Sequence, residues 1–208
     1  MFGDPLQEQT WEARKRYFQA EAPLMEKLTH GQRPLILYIG DADSRVMPSR
    51  VLGAEPGDVF VMRNIANIIP PADAGHPLVG AVLEYAVYHL QVEHIVVCGN
   101  TLCGGIQELG LPPDAREPSL AAWLEYARPA RERVPEGLKV FARLAATVEA
   151  NVLLQVEHLR PYTCIQEAEP KAKLRIHPCV YDVRSRRVRT YDEIAGIFLE
   201  EAPFEETE

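Results

Sequence analysis

The stretch "LILYIGDADSRV", Leu35 to Val46, decides the fold. Its apolar run leads to Gly40 and is followed by Asp41, Asp43 and Arg45, at every second position. A run that is apolar on both faces is typical of a central parallel strand, because helices cover both sides of such a sheet. The polar side chains that follow then stand at the carboxyl end of the strand, the edge at which open parallel sheets bind ligands.

A second stretch, "HIVVCGNTLCGG", His94 to Gly105, has the same design, with Asn100 and Cys103 following the apolar run. Between the two, "DVFVMRN" (58–64) is another predicted strand with a polar end. The carboxyl ends of parallel strands meet at one edge of a sheet. We therefore expect three polar clusters to converge there.

Strands and helices alternate along the rest of the chain, which predicts an α/β fold with a mainly parallel central sheet flanked by helices. The predicted strands are 34–40, 58–64, 94–100 and 173–183, with 186–192 pairing across a turn. The predicted helices are 78–92, a short one from about 102, 117–131, 137–160 and a closing helix over 193–201. Residues 6–30 have the spacing of one or two amphipathic helices. No linker interrupts 1–208, so we expect a single domain with a helical arm at 1–30.

Composition excludes several classes of protein. The chain has 208 residues, 47% apolar and 25% charged, and a net charge of −8, which argues against nucleic acid or an anionic membrane as its partner. We find no secretory signal and no apolar run of the ~18 residues that a membrane span needs. Four irregularly spaced cysteines favour a reducing compartment, so a cytoplasmic location is expected. The basic cluster at 184–189 is typical of a solvated hairpin tip.

Five motifs in order resemble the β-class carbonic anhydrases. They are "DADSRVMPSRV", "GDVFVMRNIANIIPP", "AVLEYAVYHLQVEHIVVCGNTLCGG", "NVLLQVEHLRPY" and "LRIHPCVYDV", and the resemblance runs from about Gln32 to Asp192. It implies that family's α/β fold, a dimer that is often doubled, and N-terminal helices that pack on the partner subunit. It also implies hydration of CO₂ by a Zn²⁺ ion that is held by two Cys and one His, in the motifs C-x-D-x-R and H-x-x-C.

The chain departs from the family at the metal. Asp41 stands where the first Cys is expected and Asn100 where the His is expected, while Cys103 is kept. The catalytic dyad of the first motif, Asp43 and Arg45, is intact. Other positions match the family's substrate pocket: the amide of Gln32, the apolar Phe60 and Ile65, the aromatic Tyr85, and Gly104.

These substitutions weaken a zinc site. An amide oxygen is a poor ligand beside an imidazole, and Zn–O bonds of ~2.0–2.2 Å are shorter than Zn–S bonds of ~2.3 Å. Two rescues are open. Asp43 could complete an oxygen-rich set that suits a harder ion, or Cys98 or His76 could swing in. Without metal, Asp41 and Asp43 around Arg45 form a salt-bridged structural cluster.

Two functional hypotheses follow. The first is a zinc-free family member without a cofactor, inactive in CO₂ hydration, that keeps a pocket for a small anion such as bicarbonate. It would have a structural or regulatory role as a homodimer or larger homo-oligomer, or beside an active paralogue. The second is a metal-dependent carbonic anhydrase or related lyase that uses zinc with the altered ligands Asp41, Asn100 and Cys103.

Overall fold

A computed structural model describes residues 5–171 and 173–200. The chain divides into two compact units, Met1–Arg33 and Pro34–Glu208. The first unit contains helices α1 (Pro5–Ala20) and α2 (Ala22–Leu28), which confirms the helices predicted over 6–30. The predicted packing of these helices on a partner subunit stays a prediction.

A six-stranded sheet forms the centre of the second unit, with strand order β2-β1-β3-β4-β5-β6. The first four strands of that order are parallel, and β5 and β6 are antiparallel. This confirms the predicted α/β fold. The strands are β1 (Ile36–Asp41), β2 (Val59–Asn64), β3 (His94–Asn100), β4 (Arg175–Tyr181), β5 (Val188–Asp192) and β6 (Ile197–Glu200).

The helices of this unit connect the strands and cover the sheet. They are α3 (Pro48–Leu52), α4 (Pro77–Glu84) with a π-helical continuation (Tyr85–Leu90), α5 (Gly104–Glu108), α6 (Pro118–Leu124), α7 (Arg128–Glu132), α8 (Val140–Leu159) and α9 (Thr163–Ala168). Short 3-10 turns lie at Ile65–Asn67, Ala72–Ala74, Glu125–Ala127 and Glu169–Lys171. The helix predicted over 117–131 is thus broken: a new helix begins at Arg128, with Pro129, which has no backbone N–H, in its first turn.

The closing helix predicted over 193–201 is wrong. Residues 197–200 form β6, and 201 lies outside the described residues. Gly196 has a φ of +70° and closes a turn by donating its N–H to the Asp192 carbonyl at 2.8 Å. That turn returns the chain along β5, where Phe198 packs on Tyr191 with ring centroids 5.2 Å apart. Pairing with a neighbouring strand has overridden the local helical pattern.

Two apolar clusters cover the two faces of the sheet. The main cluster joins one face to α8, through Val97 of β3 and through Val148 and Val152 of α8. The minor cluster, on the other face, consists of five buried residues: Tyr38, Val96, Cys98, Cys179 and Val188. Among its partly buried neighbours, Val51 and Leu52 come from the short helix α3.

None of the helices in the described part of the chain combines the length and the hydropathy that crossing a bilayer requires.

Candidate functional site

Asp41 and Cys103 lie together at the carboxyl end of the parallel strands. Asp41 ends β1 and is 4% exposed, and Cys103 immediately precedes α5 and is 1% exposed. Asp41 Oδ1 accepts a hydrogen bond from the Ala66 N–H at 3.1 Å. Burial, the charge of Asp41 and a hydrogen bond with Asp41 all raise the pKa of the Cys103 thiol far above its usual value. Cys103 is therefore a neutral thiol that hydrogen-bonds to a carboxylate.

Asp43 and Arg45 form a bidentate ion pair beside this couple. Arg45 Nε donates to Asp43 Oδ1 at 2.9 Å, and Nη2 donates to Oδ2 at 2.5 Å. Arg45 Nη2 also donates to the Leu102 carbonyl at 3.1 Å, which connects the end of β1 to the turn before α5. The hydrogen bond from Arg45 lowers the pKa of Asp43 to about 2, although burial opposes it. Asp43 is therefore a carboxylate at any physiological pH.

The geometry of this pair arises from its local sequence. Asp114 and Arg116 have the same D-x-R spacing on an exposed loop, and Arg116 also donates its backbone N–H and its guanidinium to the carboxylate. Asp43 differs in its long-range neighbour, because Asn100 Nδ2 donates to Asp43 Oδ2 at 3.1 Å. The motif thus builds the pair, and the sheet connects it to β3.

The Asp43 pair gives an expected pH dependence. Its folded-state pKa is about 2 against an ordinary 3.8, so its stabilisation is complete above 3.8 and is lost as the pH falls towards 2. Arg45 is 48% exposed, so solvent screening limits the contribution to about 1 kcal/mol. We expect the gap in unfolding free energy between the wild-type chain and Asp43→Asn, measured with urea, to close over that interval.

Asp114→Asn is the matched control, because its ion pair has the same spacing but lies in solvent. We expect its stability gap to be smaller at every pH. A gap for Asp43→Asn that is constant between pH 3.8 and 2 would contradict the assigned pKa.

Asn100 connects β3 to the dyad through the amide nitrogen of its side chain and not through the amide oxygen. Its Nδ2 donates to Asp43, and at 3.4 Å to the Thr101 carbonyl. Its Oδ1 is buried and has no hydrogen-bond partner among the described residues. The amide nitrogen, which cannot bind a cation, therefore faces the carboxylate.

Arg63, at the end of β2, supports the backbone of the site. Its Nε donates to the Asp41 carbonyl at 2.9 Å and its Nη2 to the Asp43 carbonyl at 2.6 Å. Strand register explains this position, because Gly40 pairs with Arg63 and Asp41 with Asn64. The sequence predicts only that Arg63 lies at the polar end of a strand, and it indicates no role for this residue.

The loop after β2 is held from several sides. Ala66 and Asn67 both have left-handed φ values, 62° and 48°, which are unfavourable for residues other than glycine. Asn151 Nδ2 donates to the Ala66 carbonyl at 3.0 Å, and Trp123 Nε1 donates to the Ile65 carbonyl at 2.9 Å. Gln155 accepts the Ile69 N–H at 2.7 Å and donates to Asn151 at 2.8 Å. These contacts, of which those of Asn151 and Gln155 are buried, stabilise an otherwise strained loop.

Sequence reasoning missed Asn151, Gln155 and Trp123. A signal was present for the first two, which are amides four residues apart within the apolar stripe of α8. Such a pair shares one face of a helix, and buried amides require partners. No comparable signal marks Trp123.

Two of the predicted pocket residues, Ile65 and Gly104, lie at this edge. Gly104 begins α5 directly after Cys103, and Ile65 touches the next residue, Gly105. A Cβ on Gly105 would stand 2.7 Å from Ile65 Cγ2, closer than carbon atoms can approach. A glycine is needed here so that α5 can lie against the loop.

Phe60 and Tyr85, two of the other predicted pocket residues, are not brought to this edge within one chain. Phe60 pairs with Leu37, and Asn64 pairs with Asp41. Phe60 therefore lies four residues, or about 13 Å along the strand, before the level of Asp41. Tyr85 packs on Phe60 with ring centroids 5.8 Å apart. Gln32 belongs to the first unit.

The two residues considered as rescuing ligands are engaged elsewhere. Cys98 lies in the minor cluster, where its thiol donates to the Gly99 carbonyl at 3.3 Å. The ring of His76 packs against Trp123 at 5.5 Å between centroids. His76 is therefore connected to the site through Trp123, whose indole N–H donates to the Ile65 carbonyl.

Comparison with known proteins places this geometry in a family. The family model described as "Carbonic anhydrase" matches residues 36–188. A carbonic anhydrase of Pseudomonas aeruginosa is 36% identical over 185 residues, which cover 88% of this chain and 84% of that protein. The chain belongs to the β-carbonic anhydrase family.

Solved structures show the same fold. The β-carbonic anhydrase CcaA superimposes with a TM-score of 0.87 at 33% identity, over 94% of this chain and 98% of that one. A tetrameric β-carbonic anhydrase of Sordaria macrospora gives 0.76 at 34% identity, over 88% and 92% of the two chains. The β-carbonic anhydrase fold predicted from the sequence is thereby confirmed.

The residues at the ligand positions that the resemblance assigns do not fit the zinc ion of a β-carbonic anhydrase. Asp41 and Cys103 are hydrogen-bonded to each other, so two of the three positions are engaged with one another. Asn100 turns its amide nitrogen towards Asp43. Its amide oxygen is then the one atom of this side chain that is able to bind a metal ion. Within residues 5–171 and 173–200, no group of three or more His, Cys, Asp and Glu side chains is arranged to hold a metal ion.

Proposed function

We propose that this β-carbonic anhydrase family member holds no catalytic zinc, does not hydrate CO₂, and binds a small anion such as bicarbonate in a structural or regulatory role. One observation carries the proposal. The carboxylate of Asp41 accepts a hydrogen bond from the Cys103 thiol, so that the two side chains satisfy each other.

The chemistry of CO₂ hydration explains why this matters. In zinc enzymes the metal brings the pKa of bound water to about 7 and so supplies hydroxide at neutral pH. A general base acting on free water contributes only about 10²–10⁴-fold. Asp43, with a pKa of about 2, is too weak a base even for that role.

Two donors at the site support a small-anion pocket. Arg45 is 48% exposed, so part of its guanidinium remains open to solvent beside the site. Asn67 is 1% exposed, and its buried Nδ2 has no acceptor among the described residues. An anion the size of bicarbonate has oxygen acceptors that suit such donors.

Assembly is the second part of the proposal. Phe60 and Tyr85 lie away from the Asp41 couple in their own chain, so they can complete a pocket only from a second copy. A homodimer or larger homo-oligomer, with the 1–30 arm on the partner, meets this need. Pairing with an active paralogue would place the altered site in a mixed assembly. The expected compartment is a reducing cytoplasm.

Two assays test the proposed function. Stopped-flow CO₂ hydration by the protein, with and without added zinc, is expected to show no rate above buffer. Titration with ¹³C-bicarbonate is expected to show saturable binding that Arg45→Ala weakens about tenfold, the loss expected for one charged hydrogen bond. Arg116→Ala is the matched control, since it removes the same kind of guanidinium from an exposed pair, and it should leave binding unchanged. Zinc-dependent turnover would refute the inactive state, and binding that is insensitive to Arg45 would refute the anion site.

One observation favours the alternative, a metal-dependent carbonic anhydrase with altered ligands. Asn100 Oδ1 is buried without a donor, as an oxygen reserved for a cation would be. That enzyme would lose its hydration rate on chelation and in Asn100→Ala, and would regain it with zinc only when Asn100 is present.

A further inference from the structure

Two cysteines face each other across the central strands of the sheet. Cys98 in β3 is the register partner of Cys179 in the parallel strand β4. Neighbouring strands lie about 4.7–4.9 Å apart, and disulfides join Cα atoms about 4.4–6.8 Å apart. The two backbone positions therefore fall at the short end of the range that a disulfide spans.

The two thiols are already in contact. Cys98 and Cys179 are hydrogen-bonded to each other through their side chains, and neither is part of a disulfide. A disulfide has an S–S length of about 2.05 Å, which is shorter than a hydrogen bond between two sulfur atoms, so the two thiols need to approach each other further. Small rotations of the two side chains and a slight shift of the strands supply such a movement.

The pair is isolated from the other cysteines of the chain. Cys98 and Cys179 belong to the minor cluster. Cys103 and Cys164 belong to the main cluster, on the other face of the sheet. Each thiol of the pair therefore has one cysteine neighbour, and a mixed pairing would require the sheet to come apart.

The cover over the pair is thin. Cys98 and Cys179 are 1% and 3% exposed, but the helix packed over their cluster, α3, has only five residues. A helix this short has little stability of its own, so its local opening costs less than unfolding of the chain. Such an opening would admit an oxidant as small as a peroxide.

We propose that Cys98 and Cys179 are a redox modification site, at which hydrogen peroxide joins two thiols in a disulfide between β3 and β4. The site is independent of the proposed function, since it needs neither a metal nor an anion. It lies just below the candidate functional site, because Cys98 pairs with Gly40 and stands two residues before Asn100. A disulfide that draws β3 and β4 together therefore moves the strand ends that carry Asp41 and Asn100.

The reaction balances with one peroxide per disulfide. One thiol loses its proton and attacks a peroxide oxygen, the O–O bond breaks, and a sulfenic acid and one water form. The second sulfur attacks the sulfenic sulfur, the S–S bond forms, the S–O bond breaks, and hydroxide leaves as water with the remaining thiol proton. Both sulfurs are oxidised and the peroxide is reduced to two water molecules.

Peptide mapping of the full-length protein tests the proposal. The native protein is treated with a small excess of hydrogen peroxide, alkylated, and digested without reduction. Trypsin followed by chymotrypsin, which cuts after Leu102, separates Cys98 from Cys103. The expected product is a peptide of residues around Cys98 linked to one around Cys179, two hydrogen atoms lighter than the sum of its parts, that disappears on reduction.

Two variants sharpen the result. Cys164→Ser, a buried cysteine in the main cluster, is expected to leave the link intact. Cys179→Ser is expected to leave a sulfenic acid on Cys98 that dimedone traps. If Cys179→Ser does not fold, the map of the native chain decides alone. A link from Cys98 to any other cysteine, oxidation of either thiol without a link, or a link that forms only in denaturant would each overturn the proposal.

Discussion

The double variant Asp41→Cys with Asn100→His is expected to bind zinc at close to one equivalent per chain, at least about a thousandfold more tightly than the wild-type chain. Loss of a single outer-shell partner already costs a zinc site about 10–100-fold in affinity, and here two direct ligands are restored. The measurement is competition with a chromogenic chelator, followed by metal analysis of the dialysed protein.

The physical reason is that the rest of the site is in place. Cys103 already stands between β3 and α5, and a bound zinc ion would need only to displace its proton to water. Burial contributes most to the raised pKa of the Cys103 thiol and remains, but removing the Asp41 carboxylate eliminates the charge and the hydrogen bond that raise this pKa further. The ion pair of Asp43 and Arg45 is retained, although Asn100→His removes the hydrogen bond that Asn100 Nδ2 donates to Asp43.

The two single variants are the matched controls. Asp41→Cys alone offers two thiolates without an imidazole, and Asn100→His alone leaves the carboxylate in place, so each should gain less than the pair. A double variant that folds like the wild-type chain, by circular dichroism and thermal melting, and still binds no zinc would show that other features removed the metal.

The second large effect concerns the loop at the site. Asn151→Leu is expected to lower the free energy of unfolding by about 3 kcal/mol, because it breaks two buried hydrogen bonds, and a buried group that loses its partner costs about 1–3 kcal/mol. The Ala66 carbonyl loses its donor, and Gln155 Nε2 keeps only its longer bond of 3.5 Å to the Tyr126 carbonyl. The corresponding fall in the melting temperature is about 10 °C for a chain of this size.

Thr147→Val is the control, on the same helix one turn earlier and equally buried. The Thr147 hydroxyl donates to the Arg143 carbonyl of its own helix, so its removal leaves no long-range group without a partner and should cost less than about 1 kcal/mol. Equal losses for Asn151→Leu and Thr147→Val would mean that the amide does not hold the loop.

The sequence contained enough information for the fold. An unbroken apolar run before Gly40, and another before Asn100, predicted parallel strands whose ends meet, and the register pairs Gly40 with Cys98. Periodicity failed at 193–201, where a short apolar segment is compatible with either a helix or a strand. Its outcome depended on pairing with β5, which no local pattern records.

The contacts within the site could not be predicted from the sequence. The motif D-x-R predicts the pair of Asp43 and Arg45, and the exposed pair at Asp114 shows that spacing alone builds it. The couple of Asp41 and Cys103 joins residues from two different strand ends, so only the folded chain reveals that they satisfy each other.

The supports of the loop are equally long-range. Asn151 reaches Ala66 across 85 positions in the sequence. Likewise, a match to pocket positions does not reveal whether one chain or two supply the residues. In this chain Phe60 lies beside Tyr85, away from the Asp41 couple.

The most direct measurement is the zinc content of the wild-type protein, purified without chelators from cells grown with ordinary zinc and analysed by mass spectrometry of the metal. The hydrogen-bonded couple of Asp41 and Cys103 predicts far less than one equivalent per chain, while the variant Asp41→Cys with Asn100→His, prepared in parallel, approaches one. Close to one equivalent in the wild-type protein, lost in Cys103→Ser, would contradict the account.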